Sequence, residues 1–356
     1  MNTIYIRTLK KAEHTVFCVA DGQKYYIDPQ FSYRRVPYSS GQQVKRSILD
    51  ALSNNLNQIP SPTTFVFEVT KKGEIGEGEV YATCNPIYAD QLIGGWMKAT
   101  KGGTSRTLKR RSPISISAMR GLHPLLAGVT TENASFDRSD RFNNEVIVRN
   151  EKGNVLTEDQ ISDLLQGKDR SLSRKWIPNN SRATGLFVQD IAIDLRRLFT
   201  VSLSKLEPEI SVEVEQTLRD KGWKEIDTVF GKSLLAPKVM RNDLIQALAS
   251  SIINWNITSN QSRTFSLMET LAVTISDNAN KIAGSIRAKL KEDEEDKVEP
   301  IIEENMAGVD TFITLAAGGS IRTRSESVDA LDNATAHLIS LLQEFDYEDQ
   351  LSAKLF

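Results

Sequence analysis

The chain predicts an α+β fold built on a modified ferredoxin-like core, and three observations carry that expectation. Apolar alternation at the N-terminus and a second strand-type run near residue 25 precede a helical period, after which β-branched and aromatic residues return. This early order of strand, strand, helix, strand is compatible with a ferredoxin-like unit. Two later stretches keep a helical period, and strand-type runs lie among them without a regular βαβ repeat, which argues against a doubly wound parallel sheet.

In chain order, residues Asn2 to Val19 alternate and then run apolar (Ile4, Ile6, then Val16, Phe17, Val19), a strand with a bend expected near Lys10 to Glu13. Asp21-Gly22 followed by Lys24 to Ile27 reads as the return of a hairpin. Val36 to Gly41 is turn-rich, and a serine there can cap the helix that follows. Gln42 to Leu56 has that helix's period, with Val44, Ile48, Ala51, Leu52 and Leu56 on one stripe and Lys45 and Arg46 on another face. Thr63 to Val69 is a strand, Glu79 to Thr83 a second, and Ser112 to Ala118 a third. Lys98 to Arg111 is polar, basic and glycine-containing, the composition of an exposed loop.

Further on, Glu145 to Arg149 reads as a strand, and Thr157-Glu158-Asp159-Gln160 has the spacing of a capping box at the start of a short helix. Lys168 to Arg182, with five basic residues against one aspartate and with Trp176 and Pro178, reads as an irregular exposed insertion. Gly185 to Leu203 is a long core strand with a charged break at Asp194, Arg196 and Arg197. Asn242 to Trp255 and Asp329 to Phe345 are helical, and Leu267 to Ser276 is a strand. The expected organisation is one body over 1–356, with inserted segments at roughly 95–182 and 258–325.

Composition is that of a folded chain: 40% of the 356 residues are hydrophobic and 25% charged, enough apolar mass for a sizeable core. No run of about eighteen apolar residues occurs, and Met1 to Lys11 lacks the apolar centre of a signal peptide, so a soluble cytoplasmic protein without a membrane partner is expected. Cys18 and Cys84 have no metal-type spacing, and His14, His123 and His337 lie far apart, so neither a metal site nor another cofactor is expected. The net charge of −2 conceals a strong asymmetry. Lys101 to Arg111 holds five basic residues and no acid, whereas Leu290 to Glu304 holds two lysines against eight acids. Concentrated basic charge fits one polyanion-binding face, with acidic surface kept for solubility or for the basic faces of neighbours; solvated charge runs are the alternative.

No Walker loop, GxGxxG after a strand, GxSxG elbow or HExxH is present, so the chain reads as a non-enzyme. The basic clusters are more informative. Arg34 and Arg35 with Lys45 and Arg46 flank a turn, containing Ser40 and Gln42, that enters a helix; guanidinium groups, hydroxyls and helix N–H groups in one neighbourhood suit a phosphate. Tyr33 and Tyr38 beside these arginines could stack on bases, as single-stranded RNA sites require, or Tyr38 could pack beneath the helix. Lys101, Arg106, Lys109, Arg110 and Arg111 form the densest positive segment. Arg174 and Lys175, with Lys168, Arg170 and Arg182, form a third, in which Trp176 could stack or anchor.

The segment VPYSSGQQVKRSILDAL (Val36 to Leu52) resembles the glycine-centred turn and first helix of the RAMP-superfamily backbone subunit of class 1, Cascade-type CRISPR effector complexes. RSPISISAMRGLHPLLAG (Arg111 to Gly128) followed by FDRSDR is similar to that family's central insertion. VQDIAIDLRRLFTVSL (Val188 to Leu203) is similar to its returning strand, and AAGGSIRTRSESVDA to its C-terminal region. The resemblance implies an RRM-like palm with inserted finger and thumb elements. It further implies several copies in a helical filament along a guide RNA (crRNA), each thumb displacing one nucleotide in every six. Its implied partners are the crRNA, target DNA or RNA, further copies of the chain and other effector subunits. Carried onto this chain, RNA-backbone contact is implied at Arg34, Arg35, Ser40, Gln42, Lys45 and Arg46, and also at Arg120, Arg138 and Arg141. The near-neutral charge departs from many such subunits and confines an RNA groove to a narrow surface. A metal-dependent nuclease using scattered acids and an assembly subunit without RNA are the two other classes compatible with the residues.

Overall fold

The computed structural model describes residues 1–17, 23–98, 106–135, 145–167, 176–257, 266–292 and 294–351, and side chains throughout these except 132–135, 176–180, 295 and 296. It has two compact units, Met1–Thr130 with Ala183–Phe356, and Thr131–Arg182.

The first unit opens with β1 (Thr3–Thr15), β2 (Tyr25–Asp28), β3 (Arg34–Ser39) and α1 (Gly41–Leu56), then a hairpin of β4 (Thr63–Val69) and β5 (Ile75–Ala82). Next come α2 (Ala89–Gly94), β6 (Trp96–Lys98), β7 (Leu108–Arg110), β8 (Ile114–Ile116), β9 (Met119–Gly121) and β10 (Ala127–Ser135). α3 (Glu158–Leu165) belongs to the second unit, and β11 (Trp176–Asp194) returns the chain to the first. There follow α4 (Leu195–Leu198), β12 (Thr200–Ser202), α5 (Val212–Asp220), β13 (Lys224–Thr228), β14 (Gly231–Leu235), α6 (Lys238–Asn254), β15 (Glu269–Ser276) and α7 (Ala279–Ser285). The chain ends through β16 (Ile286–Lys291), β17 (Glu294–Ile302), β18 (Asp310–Thr314), β19 (Glu326–Ser327) and α8 (Ala330–Glu344).

The fold is α+β. The main sheet runs β19-β18-β15-β1-β11-β9-β3-β2, with β8 and β10 also pairing β11. Its centre is a ferredoxin-like unit: β1, α1, β8 with β9, β11, α6 and β15 supply the β-α-β-β-α-β order, and in space the strands lie fourth, first, third, second, all antiparallel. One face of this sheet is closed by helices. Ile4 and Ile6 lie opposite Ile193 and Ile191 and join Val44, Ile48 and Leu52 of α1 and Leu244, Leu248 and Ile252 of α6 in one buried cluster. Each such side chain contributes about 1.5–3 kcal/mol relative to exposure. The other face carries Leu9, Val188, Ala272 and Ile313, which pack with Ile286 and Ile302 of the β16–β17 hairpin. Nearer β8 the same face looks onto α7, across a recess lined by Tyr5, Asp190 and Ala192 on the sheet and by Ala279, Ile282 and Ala283 on the helix.

Local signals explain the elements. Ser40 caps α1 by accepting the Gln43 N–H at 3.3 Å. Gly41 is required where α1 begins, because a Cβ there would lie 2.7 Å from the Ile116 carbonyl oxygen. In the second unit, Thr157 and Gln160 form the capping box that their spacing predicts, and Asn150 ties the turn before them by accepting the Lys152 and Asn154 N–H groups. A register shift against β15 between Leu9 and Lys10 marks the irregularity expected in β1. There Lys10 is fully buried, its ammonium donating to Trp255 O at 3.2 Å and Thr270 Oγ1 at 2.8 Å and standing 4.8 Å from the Trp255 ring. Burial pushes its pKa down to about 7.

Several expectations change. The Lys24–Ile27 run pairs with β3 and not with β1, because β1 is already flanked on both edges by β11 and β15. Glu145 to Arg149 makes only a single bridge, Arg149 to Val155. The segment read as a loop up to Arg111 contains β7, and the one read as irregular up to Arg182 contains the start of β11. Most of the acidic stretch, for which the charge pattern specified no element, forms β17, paired with β16. β8, β9, β15 and β18, which fall within 95–182 and 258–325, pair within the main sheet.

Candidate nucleic-acid interface

The sheet edge formed by β2, β3 and β9 gathers aromatic and basic side chains on strands, where their spacing is fixed. Asp28 accepts the Gln30 and Phe31 N–H groups, both at 2.9 Å, and starts the β2–β3 turn. Ser32 and Tyr33 then adopt left-handed φ values of 55° and 51°, an uncommon conformation for a bulky residue, and Tyr33 projects from the tip 72% exposed. On the strands, the Arg35 guanidinium sits 4.9 Å from the centre of the Tyr25 ring, and Tyr26 and Tyr38 lie 6.2 Å apart at 57°. Arg34 is exposed and forms no ion pair among the described residues.

Register extends this surface inward. Tyr38 lies opposite Arg120, and Arg120 opposite Val188, so these side chains share one side of the sheet, on which Val188 is buried and Arg120 is half-exposed. Arg120 Nη1 approaches Asp190 Oδ2 at 3.6 Å, but Asp190 is already held by Arg7, whose Nε and Nη2 donate to its two oxygens at 2.6 and 3.1 Å. Arg7 is nearly buried and also donates to the carbonyls of Ala283 and Ile286. Arg7 therefore neutralises Asp190, and the half-exposed Arg120 adds positive charge to the face. Beyond Asp190 a recess of about 380 Å³, walled by Tyr5, Ala192 and Ala279, continues the surface.

The N-terminus of α1 adjoins the end of β3. Ser40 is spent on its capping bond, Gln42 is exposed, and the first turn carries no acidic residue, so the partial positive charge of the helix end is not neutralised from within. Lys45 turns inward instead: its ammonium donates to Gly94 O at 2.5 Å, and burial, with a smaller contribution from Arg110, pushes its pKa down. Arg46 is exposed and paired with Asp50 at 2.9 Å.

The Lys101–Arg111 segment divides in the structure. Arg106, Lys109 and Arg111 are exposed, whereas Arg110 is 3% exposed and serves the interior. Its guanidinium donates to the carbonyls of Leu92, Arg197 and Thr200 and lies 3.8 Å from Glu209. Burial pulls the Arg110 pKa down to about 10 and pushes that of Glu209 up, while each charge opposes the shift of the other. The expectation that Arg110 reaches a polyanion is corrected, because strand alternation in β7 turns it inward between its two exposed neighbours. Lys101, Arg138, Arg141, Arg174 and Lys175 lie outside the described residues.

The structure thus brings Arg34 and Arg120 together with Tyr26 and Tyr38 on one side of these strands and sets Arg35 with Tyr25 on the other, with Tyr33 at the turn between them, while Arg106, Lys109 and Arg111 surround a different cleft. Sequence reasoning missed Tyr25 and Tyr26, although the alternation of the Lys24–Ile27 run already marked both as strand residues next to Arg34 and Arg35. It also missed the Arg7–Asp190 pair, for which a separation of 183 positions leaves no local signal. Among the described residues, no group of three or more His, Cys, Asp or Glu side chains could hold a metal ion, and no helix is long and apolar enough to cross a membrane.

No protein-family model matches the chain, and no curated protein matches it. Two of the solved chains to which it is similar in structure align over most of its length. One, from a structure described as a CRISPR RNA-guided surveillance complex, pre-nicking, is 10% identical, with 96% of this chain and 89% of that chain covered at a TM-score of 0.44. The other, from a CRISPR RNA-guided surveillance complex, is 11% identical, with 94% and 99% covered at a TM-score of 0.41.

Proposed function

We propose that the chain is a non-catalytic RNA-binding subunit that coats the spacer of a guide RNA in a class 1 CRISPR-type effector. The observation that carries this reading is the aromatic and basic edge of β2, β3 and β9, which presents Tyr26, Tyr38 and Arg120 on one side and Arg35 against Tyr25 on the other. Flat rings next to exposed guanidinium groups suit single-stranded RNA, whose bases stack and whose phosphates attract cations. Binding by stacking and phosphate contact is what a protein that must accept any spacer sequence requires. The sequence resemblance supports the specific assignment to a guide-RNA backbone subunit, with further copies of the chain, target nucleic acid and other effector subunits as partners.

The test is direct. Anisotropy titrations with single-stranded RNAs of unrelated sequence should give similar affinities that fall steeply between about 50 and 200 mM salt. RNA of discrete length should copurify with the protein. Affinity that is flat with salt removes the electrostatic reading, and magnesium-dependent cleavage of the RNA replaces the subunit with a nuclease.

A further inference from the structure

A second basic cleft, of about 940 Å³, is built from elements that take no part in the β2–β3–β9 edge. One wall is the β7 segment with Arg106, Lys109 and Arg111; the other is the end of α4, the β12 strand and the loop before β14, with Arg197, Ser202 and Phe230. Arg106 is steadied by donating to the Lys205 carbonyl. Phe230 is 39% exposed, and the guanidinium carbons of Arg197 and Arg196 lie 3.6 and 5.1 Å from its ring centre, so cation and ring form one platform. Two carboxylates also line the cleft, Glu207 and Glu209. Glu209 is nearly buried, accepts the Ser202 N–H at 2.8 Å and faces Arg110, so its charge is met from the protein side.

We infer that this cleft is a binding site for a nucleoside phosphate, with the phosphate between Lys109, Arg111 and Arg106 and the base on the Arg197–Phe230 platform. Three exposed cations on one wall supply point charge and bidentate donors for a phosphate. A guanidinium lying against an aromatic ring offers a surface for a base, which an acidic peptide would not use. The volume accommodates one nucleotide with room for solvent. The ligand can be a free mononucleotide or the phosphorylated end of a strand, since both present the same chemistry.

The experiment uses the full chain and calorimetric titration with AMP, adenosine, a poly-glutamate peptide, and a ten-nucleotide RNA with and without a 5′-phosphate. AMP should bind at least tenfold tighter than adenosine and than the peptide. The double substitution Lys109→Glu with Arg111→Glu should weaken AMP at least tenfold, and Phe230→Leu should weaken it roughly 5- to 100-fold through the lost platform. Arg34→Ala with Arg35→Ala should leave AMP binding unchanged. Tighter binding of the phosphorylated RNA than of AMP assigns the site to strand ends; the reverse assigns it to free nucleotides. Equal affinity for AMP and adenosine, equal affinity for the peptide, or undiminished AMP binding by the Lys109/Arg111 variant overturns the inference. Loss of AMP binding in the Arg34/Arg35 variant alone moves the nucleotide to the sheet edge and leaves the proposed RNA-binding function standing.

Discussion

Replacing Arg110 by methionine separates a structural arginine from an RNA-binding one. Methionine keeps most of the buried stem but removes the donors to Leu92, Arg197 and Thr200, and it leaves Glu209 without its cation at 3.8 Å. Breaking a buried pair by removing one partner costs about 3–5 kcal/mol, chiefly because the remaining charge stays buried. At ~2.1 cal/mol/K per residue, the first unit of roughly 300 residues unfolds with an entropy near 0.6 kcal/mol/K, so the melting temperature should fall by about 5–8 °C. The penalty should also depend on pH with a definite sign. Burial raises the Glu209 pKa and Arg110 opposes that rise, so the variant's carboxyl titrates higher still. A group whose folded pKa lies above its unfolded value binds more protons when folded. The share of the variant's extra instability that comes from Glu209 is therefore absent below the ordinary carboxylate range, grows as pH rises through the gap between the two values, and is complete above the folded pKa, on top of the pH-independent loss of the donors to the three carbonyls. Thermal unfolding followed by circular dichroism at about pH 5 and pH 8 measures both effects, and RNA anisotropy on the folded variant should change by less than about twofold. An unchanged melting temperature combined with weakened RNA binding would refute the reasoning and return Arg110 to the surface.

Arg34→Ala with Arg35→Ala should weaken every single-stranded RNA alike and lower the slope of log affinity against log salt by up to about two; an effect confined to one sequence would contradict backbone contact. Ser40→Ala should cost about 1 kcal/mol through the lost α1 cap, whereas Ser40→Gly should cost only a few tenths, read from denaturant midpoints; equal losses would point to a different role for the hydroxyl. The folded pKa of Lys10, lowered to about 7, means that the unfolded chain binds the extra proton between that value and 10.5, so wild-type stability should rise with pH across this window by up to about 1.4 kcal/mol per unit. Lys10→Met should flatten that rise, and a variant with the same pH slope as wild type would show that the ammonium is solvated.

The helices were legible because their signals are local. The stripe of Val44, Ile48 and Leu52 lies within three turns, and the Thr157–Gln160 box within one. The ferredoxin-like sheet was legible only as a class, since strand order depends on which distant runs meet: β1 rests between residues 176–194 and 269–276, which no window of sequence contains. For the candidate site the arginine pair on β3 and its neighbouring tyrosines stood together in the chain. The Arg197–Phe230 platform did not, because its two residues come from different elements and become neighbours only after folding. Arg110 illustrates the opposite failure. Composition treats Lys109, Arg110 and Arg111 as equivalent, yet a period of two across the short β7 strand is enough to bury the middle one. Its strand neighbour Leu108, only partly exposed and on the same side, was the available hint.

The central position of β1 constrains how the protein can be made. β1 leaves a ribosome long before it can find both neighbours, because β15 is complete only at Ser276. At about 5–20 residues per second, Ile4, Ile6 and Leu9 wait roughly 13–50 s before their second edge is paired. Throughout that interval an apolar strand presents open backbone groups to any other nascent chain, the hazard that attends unpaired edges. Translation speed and holding chaperones should therefore govern the yield of this protein more strongly than its final stability does, and slowing synthesis before residue 276 should lower the yield.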